Sequence, residues 1–179
     1  MGSFWREVLD RLREEEKSEA EEAWDDFVRA SDRYSEARRA LFETDPLPAV
    51  RKALNDGGDM FAALDLLMDV GWNRPELVRA VVPELYSCSL SLGRPGIFAR
   101  LVLRRLSGSG PEYAEALHAE LAPLTAATLR EEVTDVFAMQ ALAMLLDDVG
   151  ASDLLGRWRE AVLASPDVDV RELAEDYGE

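Results

Sequence analysis

The sequence predicts an all-α protein made of stacked antiparallel helical hairpins, or of an irregular helical bundle, with a long helix at its N-terminus. No stretch of useful length shows the alternation of polar and β-branched residues that a strand requires. Hydrophobic residues make up 47% of the 179 residues, which is enough to build a core despite a net charge of −16. Glycine and proline cluster at a few points and divide the chain into helix-sized segments.

The sequence predicts a helical segment over residues 1–45 and a helical-hairpin domain over residues 46–179. We expect the two to form one domain. Apolar residues in the first segment recur at alternating spacings of three and four, which is the pattern of a heptad seam. The seam consists of Ala20, Ala23, Phe27, Ala30, Tyr34, Ala37 and Leu41. It is shorter than the three or four heptads of a coiled coil, so we expect it to pack on the body of the domain. A homodimer through this helix is the alternative.

Residues 46–179 contain a weak repeat. The segments 64–71, 101–108 and 143–150 each end a helical pattern with a glycine that suits the left-handed position after a helix. They start 37 and 42 residues apart, a spacing that fits helical hairpins of the HEAT type. Thr128 and Glu131 have the spacing of a capping box, which predicts a helix start between the two helices of one hairpin.

The composition excludes several classes of function. The chain has one histidine, His118, and one cysteine, Cys88, too few for most imidazole catalysis, for closed transition-metal sites or for a disulfide. The net charge opposes binding to nucleic acids and to anionic membranes. Four charged residues interrupt the most apolar stretch, 77–103, so we expect no membrane span. The single cysteine gives no sign of an oxidising compartment, so we expect a cytoplasmic location.

The charge is uneven along the chain. Residues 1–45 carry 14 acids and 8 bases, residues 46–110 carry 6 and 8, and residues 111–179 carry 16 and 4, giving net charges of −6, +2 and −12. Two lysines against 18 arginines indicate a GC-rich, bacterial coding genome, and a salt-loving source is the rival explanation of the acidity. The basic residues of the middle part, which could bind an acidic segment or a phosphate or pair with the chain's own acids, include Arg94, Arg100, Arg104 and Arg105.

Two carboxylate pairs in the last third have the i, i+3 spacing that places both members on one helix face. They are Glu112 with Glu115 and Glu132 with Asp135. Two facing helices could bring these four side chains together around Mg²⁺, which prefers oxygen ligands and substrate phosphates.

The run REEVTDVFAMQALAMLLDDVG, residues 130–150, resembles the third helix of the MazG-like all-α nucleotide pyrophosphohydrolases. The resemblance implies a metal site built from an E-x-x-E helix and an E-x-x-D helix, with these four residues as the Mg²⁺ ligands. It also implies hydrolysis of a nucleoside triphosphate to a monophosphate and pyrophosphate.

The function that we expect is not catalytic. The poverty of catalytic side chains and the acidic ends favour a protein-binding module without a cofactor, such as an inhibitor, an immunity-type protein or an adaptor that engages a basic partner. The Mg²⁺-dependent pyrophosphohydrolase is the alternative. The candidate partner-binding residues are Asp147, Asp148, Asp153, Asp167, Asp169, Glu172, Glu175 and Asp176.

Overall fold

A computed structural model describes residues 2–71, 73–131 and 133–177, with side chains from residue 18 onward except that of residue 176. These residues form ten helices and no strand, so the predicted all-α class is confirmed. The helices are α1 (Gly2–Phe42), α2 (Leu47–Asp56), α3 (Met60–Val70), α4 (Pro75–Arg79), α5 (Val82–Ser89), α6 (Arg94–Ser107), α7 (Pro111–Glu131), α8 (Val136–Asp148), α9 (Ser152–Leu163) and α10 (Val168–Asp176). None of the described helices is both long enough and apolar enough to cross a membrane.

The chain divides into two compact units, residues 1–46 and residues 47–179. The first unit consists almost entirely of α1, a single helix of 41 residues, which confirms the predicted long N-terminal helix. The side chains of residues 18–37 are exposed to solvent, including those of the predicted seam except Leu41, which is half-buried. The packing of this segment on the body stays a prediction.

In the second unit, most helices pack on the next helix along the chain. α2 packs on α3, α5 on α6, α6 on α7, α8 on α9, and α9 on α10. Further contacts of α6 with α3 and α8, and of α7 with α5 and α9, join these pairs into one body. Because α6 contacts helices on both sides, its apolar face is at the centre of the core. The predicted stacking of helical hairpins agrees with this arrangement.

Trp158 anchors the C-terminal end of the core. It is 0% exposed, and its indole Nε1 donates a hydrogen bond to the carbonyl oxygen of Met139 at 3.0 Å. The ring of Tyr177 meets it edge-on, with 5.4 Å between centroids. Burial of an aromatic side chain of this size removes about 150–250 Å² of surface from water. Trp158 thus stabilises the packing of α9 and of Tyr177, which follows α10, against α8.

The predicted left-handed glycine after each repeat is correct at one of three positions. Gly150 has a φ of +69° and follows α8, as expected. Gly71 and Gly108 have φ values of −58° and −74° and remain in the right-handed helical region. Their backbone N–H groups continue the helical bonding to Leu67 and Arg104, so neither glycine is the left-handed residue that the sequence predicted.

The predicted capping box at Thr128 and Glu131 is wrong, because α7 continues through both residues. Thr128 is buried inside the helix, and its Oγ1 accepts a hydrogen bond from the Tyr86 hydroxyl at 2.8 Å. The buried face that begins with Leu117 and Leu121 extends to Thr128. Burial along that whole face outweighs the local capping signal, and the next helix starts only after Asp135.

Candidate functional site

The two predicted carboxylate pairs lie at opposite ends of α7. Glu112 and Glu115 are exposed in its first two turns, and Asp135 follows the end of the helix by four residues. Residues 115 and 131 are separated by about 24 Å along the helix axis at 1.5 Å per residue. The structure therefore does not bring Glu112 and Glu115 together with Asp135. Glu132 lies outside the described residues.

Asp135 has a structural role at the start of α8. Its Oδ1 atom accepts hydrogen bonds from the backbone N–H groups of Phe137 at 2.9 Å and Ala138 at 3.0 Å, as an N-cap does. Within the described ranges, no three histidine, cysteine, aspartate or glutamate side chains lie close enough to hold a metal ion.

The two acids at the end of α8 differ in their surroundings. Asp147 is exposed, whereas the side chain of Asp148 is 31% exposed and lies 3.6 Å from Nη1 of Arg104. Negative charge is disfavoured at a helix C-terminus, so Arg104 offsets a local cost there. Of this pair, Asp147 is the carboxylate available to a partner.

The predicted acidic C-terminal helix has one exposed charged face. Asp169, Glu172 and Glu175 are exposed and follow one another at three-residue spacing, and we refer to these three residues as the α10 stripe. The opposite face of α10 buries Val170, Leu173 and Ala174. In the part of the chain that the structure describes, no lysine or arginine forms an ion pair with the stripe. Its three charges therefore face solvent together.

The remaining predicted acids lie in α9 and at the two ends of α10. Asp167 caps α10, since its Oδ1 accepts a hydrogen bond from the backbone N–H of Asp169 at 2.9 Å. Asp153 is exposed in the first turn of α9, where the helix dipole favours a negative charge. The side chain of Asp176 is not among those described. Glu160, which the sequence prediction omitted, is also exposed on α9, on the polar side opposite Leu154 and Trp158. The helical spacing of those buried residues is the signal that identifies it.

Each of the four middle arginines contacts its own chain. Arg100 is 2% exposed and donates from Nη1 to the carbonyl oxygens of Ser89 and Ser91. The Nη1 of Arg105 donates to the carbonyl oxygen of Met68 at 2.5 Å. The guanidinium of Arg94 stacks on two rings, those of Phe61 and Phe98, at 5.3 and 5.6 Å from their centroids. Arg104 approaches Asp148 as described above. Of these four, Arg104 alone lies beside an acid of its own chain, as one of the alternatives expected, whereas the other three contact backbone carbonyls or aromatic rings.

The single histidine and the single cysteine sit in different parts of the body. Nε2 of His118 lies 2.9 Å from the carbonyl oxygen of Val149, at the edge of a cavity of about 420 Å³ between α7 and α9. Burial, and then the negative charge of Glu84, raise the pKa of the Cys88 thiol, which disfavours the reactive thiolate.

Comparisons with known proteins provide no relative. No protein-family model, no curated protein and no solved structure matches the chain. The likeness of residues 130–150 to the pyrophosphohydrolases therefore remains a resemblance of one segment, and the chain's own geometry carries the functional argument.

Proposed function

We propose that this chain is a non-catalytic helical module that binds a basic partner protein, as an inhibitor, an immunity-type protein or an adaptor. The observation that carries the proposal is the α10 stripe, in which Asp169, Glu172 and Glu175 face solvent without an ion pair to the described lysines and arginines. Three adjacent carboxylates on one rigid face suit a surface rich in lysine and arginine. A bacterial, cytoplasmic setting is part of this proposal and rests on the arginine-rich composition and the single cysteine.

The stripe is held in place before any partner arrives. Burial of Val170, Leu173 and Ala174 fixes the rotation of α10, and the Asp167 cap fixes its first turn. The Nη1 of Arg171 donates to the carbonyl oxygen of Ser165 at 2.8 Å and ties the helix to the preceding loop. A surface ordered in advance loses less conformational entropy on binding. The net charge of −12 over residues 111–179 would accelerate encounter with a basic protein.

A triple substitution distinguishes binding through the α10 stripe from an effect of the net charge of the whole chain. The stripe variant carries Asp169→Asn, Glu172→Gln and Glu175→Gln. The control variant carries Asp65→Asn, Glu112→Gln and Glu115→Gln, which removes the same charge from exposed positions elsewhere. Both variants and the wild type are immobilised to capture proteins from one lysate, and the Kd of each purified captured protein is measured as a function of salt.

We expect the wild type and the control variant to bind the same basic protein with similar Kd. The stripe variant should bind it at least about tenfold more weakly, and the Kd of the wild type should rise with salt because exposed charges are screened. Equal binding by the stripe variant, or a Kd that does not change between low and high salt, would contradict the proposal.

A further inference from the structure

The apolar seam of α1 is a second interaction surface, separate from the α10 stripe. Six of its seven residues, Ala20, Ala23, Phe27, Ala30, Tyr34 and Ala37, are exposed, and we refer to these six as the α1 seam; the seventh, Leu41, is half-buried. Phe27 is 61% exposed and Tyr34 is 44% exposed. Beside the seam, Trp24 is 63% exposed and stacks on Phe27 with 5.5 Å between ring centroids. An aromatic stripe of this kind on a charged helix is typical of a contact surface.

The order of side-chain sizes along the seam determines which partner helix fits it. Alanine occupies one of the two heptad positions, at residues 23, 30 and 37, and the other position holds Phe27 and Tyr34. In a parallel pair of identical helices, like positions meet, so aromatic rings would face rings and alanine would face alanine. In an antiparallel pair the two positions face each other. Every aromatic layer then combines one ring with one alanine, and facing large and small residues interdigitate.

One antiparallel register uses all six residues of the α1 seam. With the two-fold axis between residues 28 and 29, Phe27 faces Ala30 of the second copy and Tyr34 faces its Ala23. The same register sets Ala20 against Ala37 of the second copy. No member of the α1 seam is left without a layer.

The charges beside the seam favour the same register. Asp26 and Arg33 occupy the same flanking heptad position, are both exposed, and would lie beside each other across the pair, twice by symmetry. Asp26 already pairs with Arg29 of its own helix at 2.6 Å, so Arg33 of the second copy would be its second cation. A parallel pair would instead place Arg33 beside Arg38 of the second copy, and the acid-rich residues 19–26 beside their own copies. Like charges at these positions oppose association, so these contacts favour the orientation that the packing selects.

We propose that α1 binds α1 of a second copy of this chain as an antiparallel pair, with Phe27 packed against Ala30 of the second copy. The α1 seam spans 18 residues, about 27 Å of helix, which is shorter than a stable coiled coil requires. The dimer is therefore reversible and depends on concentration.

The orientation is tested with two single-cysteine variants of the full chain, Ala20→Cys and Ala37→Cys, each in a Cys88→Ala background. In the proposed register these positions face each other across the pair. Two copies of residue 20, in contrast, lie about 25 Å apart along the axis. A disulfide requires Cα atoms within about 7 Å. We expect a mixture of the two variants to form the mixed disulfide under mild oxidation, while each variant alone stays largely uncrosslinked. Disulfides that form readily within each variant alone would show a parallel pair and overturn the proposal.

Charge exchange tests the register without cysteine chemistry. The mass of the wild type, measured by light scattering, should rise with concentration toward that of a dimer. Asp26→Arg and Arg33→Asp should each raise the dimer Kd about five- to tenfold, because each places like charges side by side twice. The double variant should restore the wild-type Kd, and Asp25→Arg, on the outer face of the helix, should leave it unchanged. A wild type that is monomeric at all concentrations, or a double variant without rescue, would refute the antiparallel pair, provided that circular dichroism shows intact helix.

Discussion

The guanidinium of Arg100 donates a hydrogen bond to the carbonyl oxygen of Ser89 at 2.7 Å, in a place where the arginine is only 2% exposed. Ser89 is the last residue of α5, and the last carbonyls of a helix have no partner within it. The same Nη1 atom reaches the carbonyl oxygen of Ser91 at 3.0 Å. Burial lowers the pKa of Arg100, and the charge of Asp148 opposes that shift. An arginine that looked available for a ligand is thus a cap for the end of α5.

Replacing Arg100 should therefore cost stability. Arg100→Met removes this donor from the buried carbonyl oxygen of Ser89 and from the part-buried one of Ser91, and we expect the free energy of unfolding to fall by about 2 kcal/mol. Arg104→Met serves as the matched control, because that side chain is 63% exposed and its contact with Asp148 is 3.6 Å long. An exposed pair of this kind contributes at most about 1 kcal/mol. Urea denaturation of both variants measures the difference, and equal losses would contradict the capping role.

Two helical glycines should respond in opposite directions to alanine. A Cβ atom at Gly96 would lie 1.8 Å from the carbonyl oxygen of Ser91, the same oxygen that Arg100 binds. Because backbone would have to shift, we expect Gly96→Ala to lower the free energy of unfolding by about 1–3 kcal/mol. A Cβ at Gly156 in α9 meets nothing within 4 Å, so Gly156→Ala should raise it by about 0.5–1 kcal/mol. Thermal unfolding of the two variants measures both effects. If both variants were more stable than the wild type, the close approach of the Ser91 carbonyl to residue 96 would be excluded.

Substitutions at Asp135 test whether this residue caps a helix or binds a metal ion. As the N-cap of α8, its loss in Asp135→Ala should lower the free energy of unfolding by about 1 kcal/mol. Asp135→Ser should recover most of that loss, because serine also caps helices but is a poor Mg²⁺ ligand. Added Mg²⁺ should leave the unfolding midpoint of the wild type unchanged. A midpoint that rises with Mg²⁺ in the wild type and not in the serine variant would instead support the metal site.

The helices themselves were predictable because their signals are local. Apolar spacing along α1 and the punctuation by glycine and proline identify most elements within a few residues of where they occur. The capping box at Thr128 shows the limit of such signals. The partner of Thr128 is Tyr86, 42 residues away. Because the face of α7 is buried, the helix continues through the local capping signal.

For the candidate sites, the sequence could predict which residues share a face of one helix, but not which residues of two helices meet. Three-residue spacing correctly places Asp169, Glu172 and Glu175 on one side of α10. The same spacing in Glu112 and Glu115 carries no information about where another helix lies. Whether the two carboxylate pairs meet depends on the length of α7. In the structure the pairs lie at its opposite ends and do not meet.

The thiol of Cys88 should ionise at a higher pH than a thiol in the unfolded chain. Burial is the larger cause of its raised pKa, and the charge of Glu84 adds to it. Between the unfolded and folded pKa values, the folded state keeps a proton that the unfolded state has lost. This contribution to stability is complete below the unfolded pKa and is lost as pH rises through the folded one. The rate of alkylation by iodoacetamide against pH should show the raised pKa, and Glu84→Gln should lower it only in part. An alkylation profile equal to that of the urea-unfolded chain would contradict the burial.

Two threonines of α7 should respond oppositely to valine, which has nearly the same shape without the hydroxyl. Among the described residues, the buried Oγ1 of Thr125 finds no hydrogen-bond partner, whereas that of Thr128 accepts from Tyr86. Thr125→Val removes an unsatisfied buried hydroxyl and should raise the free energy of unfolding by about 1 kcal/mol. Thr128→Val leaves the Tyr86 hydroxyl without this acceptor and should lower it by about 1–2 kcal/mol. In the Tyr86→Phe background the loss from Thr128→Val should shrink, because the donor is already absent. A double-mutant cycle in urea measures this coupling, and an unchanged loss in that background would mean that the hydrogen bond does not stabilise α5 against α7.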